Sequence, residues 1–193
     1  MKKHIKIVLD TSIFVNPESR CCFGSNPMQA LGNFLDIVKG KKNIHCYIPP
    51  SVYEELAKFL EKLPPREKTV LINKKPPSSY QSAVPAILVY EFIEDMRLRI
   101  NKGLRIAEKY TRKGMKSQTA DRKKEEDIIK ALRQEYRPAL REGIIDSKED
   151  FDLVLLAKEI GAYLATSDKG LIKWAQKLGI SCIDAKELKE VIS

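Results

Sequence analysis

The sequence has no long apolar run, few histidines and no spaced cysteine pairs, and each absence excludes a class of protein. No apolar stretch approaches the roughly 18 residues that a membrane span needs. The basic start is followed by only a short apolar segment, too short for a secretory signal, so we expect a cytoplasmic protein. The cysteines lack Cys-x-x-Cys spacing, which leaves no disulfide framework to expect. They are Cys21, Cys22, Cys46 and Cys182.

With only His4 and His45, the chain also lacks the histidine clusters that bind zinc. A paired general acid and base with pKa values near neutral, usually two histidines, is not evident either. What the chain does have is a length of 193 residues, enough for one domain or one domain with an insertion.

Positive charge is abundant and concentrated in one segment. The chain carries 35 Lys and Arg against 26 Asp and Glu, a net charge of +9. Residues 97–142 hold fifteen of those basic and seven of those acidic residues, a net of +8, so the rest of the chain is close to neutral. A basic excess confined to one segment indicates a binding surface for a polyanion.

Short β-branched runs alternate with amphipathic segments at both ends of the chain. Strands are predicted at residues 5–9, 45–48, 163–166 and 180–183, and helices at 26–39, 147–160, 169–178 and 185–191. Ser51, with Glu54 three residues on, predicts a capped helix after the second strand. This alternation predicts an α/β fold with a parallel central sheet, whose ligands bind at the carboxyl ends of the strands.

Between these two parts, residues 85–112 and 123–141 predict two long amphipathic helices joined by a polar link, hence an antiparallel hairpin. Its apolar stripes exceed what pairing of the two helices needs, so we expect self-association. The basic residues of its other faces are candidates for RNA binding, although a solvated helix face is the simpler alternative. They are Arg99, Lys102, Arg105, Lys109, Arg112, Lys130, Arg133 and Arg137.

Four aspartates are expected to meet at the carboxyl edge of the sheet. Asp10 follows the first strand and Asp168 the 163–166 strand, while Asp146 and Asp150 lie one helical turn apart at the start of a helix. Carboxylates that close repel one another unless a cation shares the site, which predicts Mg²⁺ or Mn²⁺ bound by oxygen ligands.

Each acid also has a simpler interpretation. Asp146 could cap its helix, Asp150 could be an ordinary first-turn acid, and Asp10 and Asp168 could each stabilise a turn. Asp152 and Glu55 are weaker candidates: Asp152 is expected beside the site or on the surface, and Glu55 could orient the attacking water.

The acidic motifs resemble those of the PIN-domain metal-dependent ribonucleases. They are Asp10-Thr-Ser, Val52-Tyr-Glu-Glu-Leu, the segment leading to Asp150, and Ala165-Thr-Ser-Asp-Lys. Residues 90–108 and 140–150 further resemble the RNA-free ribonuclease P family, formerly labelled RNA ligase partner proteins, and this similarity spans nearly the whole chain. It implies a PIN-like three-layer domain, residues 1–84 and 143–193, with an inserted hairpin, residues 85–142, that binds tRNA and supports oligomerisation.

The resemblance implies a metal-dependent endoribonuclease that removes the 5′ leader of precursor tRNA, leaving 5′-phosphate and 3′-hydroxyl ends. Its catalytic and metal-binding residues fall on Asp10, Asp146, Asp150 and Asp168, with Glu55 and Asp152 beside them. The family forms homo-oligomers, dimers building up to a dodecamer. Two alternatives stay open at this point: a toxin-type PIN endoribonuclease, and a non-catalytic RNA-binding partner of an RNA ligase.

Overall fold

A computed structural model describes residues 4–60, 65–79, 83–116, 122–141 and 147–193. The chain divides into two compact units. Met1–Ser82 and Ile145–Ser193 form the first, called here the sheet unit, and Ala83–Ile144 form the second, called the hairpin unit. None of the helices in the described part of the chain is long and apolar enough to cross a membrane.

Five parallel strands form the centre of the sheet unit, which confirms the predicted α/β fold. Their order across the sheet is β3-β2-β1-β4-β5. Lys74 pairs with Ile48, and Ala165 pairs with both Leu9 and Ile183. Because Val8 pairs with Tyr47, the next residues, Leu9 and Ile48, lie at the same level of the sheet. The strands are β1 Ile5–Leu9, β2 Ile44–Ile48, β3 Ile72–Lys74, β4 Tyr163–Ala165 and β5 Cys182–Ile183.

Helices connect these strands, and most of the longer ones begin at a residue that caps them. The side chains of Asn26, Ser147, Asp168 and Asp184 each accept a backbone N–H in the first turn of a helix. The helices of the sheet unit are α1 Ser12–Val15, α2 Pro17–Arg20, α3 Pro27–Val38, α4 Pro50–Lys58, α5 Arg66–Thr69, α8 Lys148–Ile160, α9 Lys169–Lys177 and α10 Ala185–Ile192.

The core of the sheet unit is apolar and fully covered. Ile7, Leu9 and Leu164 of the central strands have no exposed surface. Phe14 and Phe34 pack edge to face, with ring centroids 5.3 Å apart, beside the same core. A core of this kind holds the carboxyl ends of β1 and β4 in fixed positions.

The strand order also determines where a site can form. The chain moves outward from β1 to β2 and β3, then returns to the other side of β1 as β4 and β5. Because parallel crossovers are right-handed, such a reversal places successive helices on opposite faces and leaves a crevice at the carboxyl ends of β1 and β4.

The hairpin unit consists of two helices, α6 Ala86–Lys116 and α7 Arg122–Arg141. They approach closely at Gly103, where an added Cβ would lie 2.9 Å from Cε2 of Tyr136. Glu135 of α7 accepts hydrogen bonds from Lys109 Nζ and from the hydroxyl of Tyr110, at 2.7 Å and 2.8 Å. Both contacts hold α6 against α7.

Two features of the sheet unit differ from the sequence predictions. The predicted capping box at Ser51 is wrong: the N-cap of α4 is Pro49, and no side chain caps that helix. Pro50 occupies the first turn, where its fixed φ favours a helix start without a capping side chain. Strand β3 was not predicted, because three residues carry too little periodicity to identify a strand.

Candidate active site

Asp10 lies in the crevice between β1 and β4. It follows the last residue of β1, and its backbone N–H donates to the carbonyl of Ala165 at 3.0 Å, which extends the pairing of the two strands by one residue. The side chain is buried, with 5% of its surface exposed. A buried carboxylate at this point of a parallel sheet is unusual enough to require an explanation.

Two hydroxyls orient the Asp10 carboxylate. Thr166 Oγ1 donates to Asp10 Oδ2 at 2.6 Å, and Ser12 Oγ donates to the same oxygen. Oδ1 receives only a long hydrogen bond from Thr11 Oγ1, at 3.3 Å, among the residues that the structure describes. The two oxygens are therefore unequal: Oδ2 is fixed by the protein, while Oδ1 keeps most of its capacity to bind another group.

The same hydroxyls connect Asp10 to the segment that carries Asp168. Thr166 Oγ1 accepts the backbone N–H of Asp168 at 3.0 Å, and Ser12 Oγ accepts that of Ser167 at 3.0 Å. Asp168 Oδ1 accepts the N–H of Leu171 at 2.8 Å and thereby caps α9. Asp168 therefore both caps α9 and lies near Asp10. The capping role is compatible with a role in the site.

The electrostatics of Asp10 favour a nearby cation. Burial raises the pKa of its carboxyl above the ordinary value, hydrogen bonds from Ser12 and Thr166 lower it, and the charge of Asp168 raises it again. The net direction is upward, so the charged form is disfavoured in the protein alone. A cation bound at Oδ1 would reverse that penalty.

Two further acids, Asp150 and Asp152, lie near the start of α8, and each contacts a different serine. The N–H of Asp150 donates to Ser147 Oγ at 3.0 Å, so Ser147 is the N-cap of α8 and Asp150 is a half-buried residue of its first turn. Asp152 Oδ2 accepts a hydrogen bond from Ser51 Oγ of α4, at 3.0 Å. Asp152 therefore joins α8 to α4. Asp146, predicted as a ligand, lies outside the described residues.

Glu55 of α4 is half-buried in the same acidic field. Burial raises the pKa of its carboxyl, and the charges of Asp10 and Glu149 raise it further, while Lys58 opposes them. The sequence prediction named Glu55 but missed Glu149. The acidic first turn of a helix is so common that position alone could not single out Glu149.

The donor atoms of the candidate residues are of the type that binds a hard divalent ion. Every candidate donor is a carboxylate or hydroxyl oxygen, the set that Mg²⁺ and Mn²⁺ prefer. Within the described ranges, no three His, Cys, Asp or Glu side chains form a ready group that could hold a metal ion. The predicted set of Asp10, Asp146, Asp150 and Asp168 therefore stays a prediction.

Arg99 and Lys109, both predicted to bind RNA, make contacts within the hairpin unit. Arg99 Nη1 donates to the carbonyl of Leu140, and Lys109 forms an ion pair with Glu135. Lys130, Arg133 and Arg137 instead lie exposed along one side of α7, where they line a groove. Lys102, Arg105 and Arg112 are exposed on α6.

Comparison with known proteins defines the class first. Residues 6–193 match a family model described as "PINc domain ribonuclease", which accounts for the parallel sheet with an acidic crevice. Nucleases with this domain generally use divalent metal ions.

Sequence relatives narrow the class. The chain is 50% identical to an RNA-free ribonuclease P of Thermodesulfovibrio yellowstonii, over 99% of this chain and 95% of the relative. It is 47% identical to proteins of that name from Pyrococcus furiosus and Thermococcus kodakarensis, each over 97% of this chain and over 92% and 94% of the relatives. The chain belongs to the RNA-free ribonuclease P family.

Proposed function

We propose that the protein is a metal-dependent endoribonuclease that removes the 5′ leader of precursor tRNA, leaving a 5′-phosphate on the tRNA and a 3′-hydroxyl on the leader. The observation that carries this proposal is Asp10: a buried, hydroxyl-oriented carboxylate in the crevice of a sheet whose chain is 50% identical to an RNA-free ribonuclease P.

Asp10, Asp146, Asp150 and Asp168 would bind Mg²⁺ or Mn²⁺. When bound, the ion supplies Lewis-acid activation of water and stabilises negative charge on the departing 3′ oxygen. Asp10 presents Oδ1 to the site while Ser12 and Thr166 hold Oδ2. Glu55, half-buried beside Asp10, orients the attacking water, and Asp152 keeps α4 and α8 together through Ser51.

The hairpin unit would supply affinity for tRNA. Exposed Lys102, Arg105, Arg112, Lys130, Arg133 and Arg137 offer charges that contact phosphates and carry little base specificity, which suits recognition of RNA by shape. Arg99 and Lys109 contribute to the hairpin's own structure as well.

The same unit also supports a homo-oligomer, as dimers building up to a dodecamer. One side of α6 exposes Val89, Ile93, Met96, Ile100 and Leu104, with 38–64% of each residue's surface accessible. Their spacing of three and four residues forms a continuous apolar stripe, a surface that soluble monomers rarely leave uncovered. Sedimentation at micromolar concentration should detect assemblies, and a monomer there would contradict this part of the proposal.

All four cysteines are free thiols, which suits a reducing compartment, and we place the activity in the cytoplasm.

The direct test is incubation with precursor tRNA, with and without Mg²⁺, followed by mapping of the cut. We expect a single cut at the mature 5′ end that needs the ion. Cleavage at other sites, or cleavage that persists in a chelator, would contradict the proposal. Asp150→Asn should abolish cleavage while tRNA binding survives, which separates the enzyme from a non-catalytic RNA-binding protein; co-purification of a small inhibitor would favour a toxin-type nuclease.

A further inference from the structure

A cation lies at the same edge of the sheet as the acids. Lys74 is the last residue of β3 and pairs with Ile48, which is level with Leu9, the residue before Asp10. One strand, β2, separates β3 from β1, so the two chain positions are about 10 Å apart across the sheet. The carboxyl edge therefore carries an acidic centre and a basic flank.

The ammonium group of Lys74 is held in place by an aromatic ring. Its Nζ lies 3.4 Å from the centroid of the Tyr53 ring, at cation–π distance. Tyr53 is buried, with 9% of its surface exposed, in the first turn of α4, so the platform itself is fixed. Within the described part of the chain, no carboxylate forms an ion pair with Lys74. An ammonium over a ring still has N–H donors that can bind phosphate oxygens.

The neighbouring residue anchors the backbone of this position. Lys75 N–H donates to the carbonyl of Ile48 at 3.1 Å, and its Nζ forms an ion pair with Glu159 at 2.7 Å. Because Lys75 is committed to the protein, Lys74 is the lysine of this pair that can serve a ligand.

We propose that Lys74, seated on Tyr53, binds a phosphate of the single-stranded 5′ leader close to, but not at, the cleaved bond. This inference rests on the proposed function, since it needs an RNA that crosses the acidic crevice. An RNA backbone that left the crevice along the carboxyl edge of the sheet would pass Lys74, whose backbone position, two strand spacings or about 10 Å from the end of β1, lies within reach of a neighbouring nucleotide. A phosphate contact reads no base, so the subsite should accept any leader sequence.

The test compares precursor tRNAs that differ only in leader length. Lys74→Gln should raise KM for a leader of about six nucleotides by about two- to fivefold, the effect of one exposed charge contact, with kcat unchanged. For a leader of a single nucleotide, which cannot reach Lys74, KM should stay the same. Lys74→Arg should restore most of the long-leader KM, because it keeps the charge.

Binding without cleavage supplies an independent readout. In the absence of divalent ions, Lys74→Gln should weaken binding of the long-leader RNA and make its logarithmic salt dependence shallower by about 0.7, the value for one phosphate on a single strand. Lys42→Gln is the matched control. Lys42 is exposed just before β2, at the opposite edge of the sheet, and its substitution removes the same charge from the same unit. This variant should leave KM and binding affinity unchanged for both leader lengths.

The platform is tested separately. Tyr53→Phe keeps the ring and should behave as wild type. Tyr53→Leu should reproduce the Lys74→Gln effect, provided that thermal unfolding shows that this variant is folded. If Tyr53→Leu does not fold, the Lys74 variants alone test the inference. Equal affinity of Lys74→Gln and wild type for the long leader would overturn this inference, even where wild type cleaves normally. A wild type that fails to cleave would instead overturn the proposed function, because the binding comparison does not depend on cleavage.

Discussion

Asp10 in the sheet unit and Glu135 in the hairpin unit are both carboxylates that accept hydrogen bonds from protein side chains, yet their environments shift their pKa values in opposite directions. Asp10 is buried, and burial raises its pKa despite the hydroxyls of Ser12 and Thr166. Glu135 is partly exposed, and its bonds from Lys109 and Tyr110 lower its pKa. Asp10 has no cation in contact among the described residues, whereas Glu135 has Lys109.

The difference separates two uses of charge. A carboxylate that the fold desolvates and leaves without a counter-ion destabilises the protein and is tolerated where a ligand will compensate it. A carboxylate paired with lysine at a helix–helix contact stabilises the structure around it. By this criterion the proposed chemistry belongs to the sheet unit, and the proposed RNA-binding surface to the hairpin unit. Variants of both units test this contrast, and they are given in order of decreasing expected effect.

Asp10→Asn should abolish cleavage and stabilise the fold. If Asp10 binds the divalent ion as proposed, its loss removes several kcal/mol of transition-state stabilisation, about a thousandfold in rate or more. Ser12 and Thr166 both donate to Oδ2, so the carbonyl of Asn can accept both bonds. Cleavage assays and thermal unfolding in a chelator measure the two effects; a Tm increase of about 2–4 °C is expected for each kcal/mol gained.

The pH dependence of that gain follows from its sign. The folded-state pKa of Asp10 is raised above 3.8, so the folded protein holds the proton more tightly than the unfolded chain, and stability falls as pH rises through the interval above 3.8. The stability difference between Asp10→Asn and wild type should be full at neutral pH and shrink in acid. A difference that is independent of pH would show that burial of charge is not its cause.

The second experiment removes the charged stripe of α7. Replacing Lys130, Arg133 and Arg137 together by Gln should weaken binding of precursor tRNA by about tenfold or more and reduce the logarithmic salt slope by about two, because each lost phosphate contact contributes roughly 0.7–0.9. The maximal cleavage rate should remain. Binding measured over a range of salt concentrations checks the prediction.

A matched control for the stripe is available in the sheet unit. Lys39, Lys42 and Lys186 are exposed there, and their replacement by Gln removes the same net charge. If both triple variants lost affinity equally, total charge rather than the hairpin surface would govern binding, and the division of labour between the units would fail.

Comparison of sequence and structure shows a similar division. The parallel sheet and the positions of Asp10 and Asp168 could be predicted, because strand-ending acids follow from hydrophobic periodicity and topology. The orientation of Asp10 could not: Ser12 is near it in sequence, but Thr166 is 156 residues away and meets it only through the pairing of β1 with β4.

Side-chain contacts between different helices and strands could not be predicted from the sequence either. Arg99 and Arg137 look alike in a helical pattern, yet Arg99 donates to the carbonyl of Leu140 while Arg137 is exposed. Ser51 resembles a helix cap by composition, but bonds to Asp152, 101 residues on. Periodicity identifies which face of a helix is apolar; the partner of an individual polar group depends on a packing angle that periodicity does not contain.

The third experiment examines how tightly the hairpin helices pack. An Ala at Gly103 places its Cβ 2.9 Å from the Tyr136 ring, whose outer edge can rotate away at some cost. In a Tyr136→Ala background, Gly103→Ala should stabilise α6 by roughly 0.8–1 kcal/mol, the difference in helix propensity. With Tyr136 present, displacement of the ring should offset most of that gain. Amide hydrogen exchange in α6 measures both; equal gains in the two backgrounds would mean that the helices do not need their close approach here.

The smallest expected effect concerns Glu135 itself. Hydrogen bonds from Lys109 and then Tyr110 lower the pKa of Glu135 below 4.5, so the folded hairpin releases this proton more readily than the unfolded chain. Its contribution to stability is present above pH 4.5 and is lost as pH falls through the folded-state pKa. Exposure and salt weaken it further. Amide exchange in α6 and α7 should therefore be faster in Glu135→Gln than in wild type at neutral pH, and the two should converge in acid.

Glu126→Gln removes a charge from an exposed position of the same helix and should match wild type throughout. If the difference in amide exchange between Glu135→Gln and wild type persisted below the folded-state pKa, packing rather than charge would hold the two helices together. The contrast with Asp10 would then depend on burial alone.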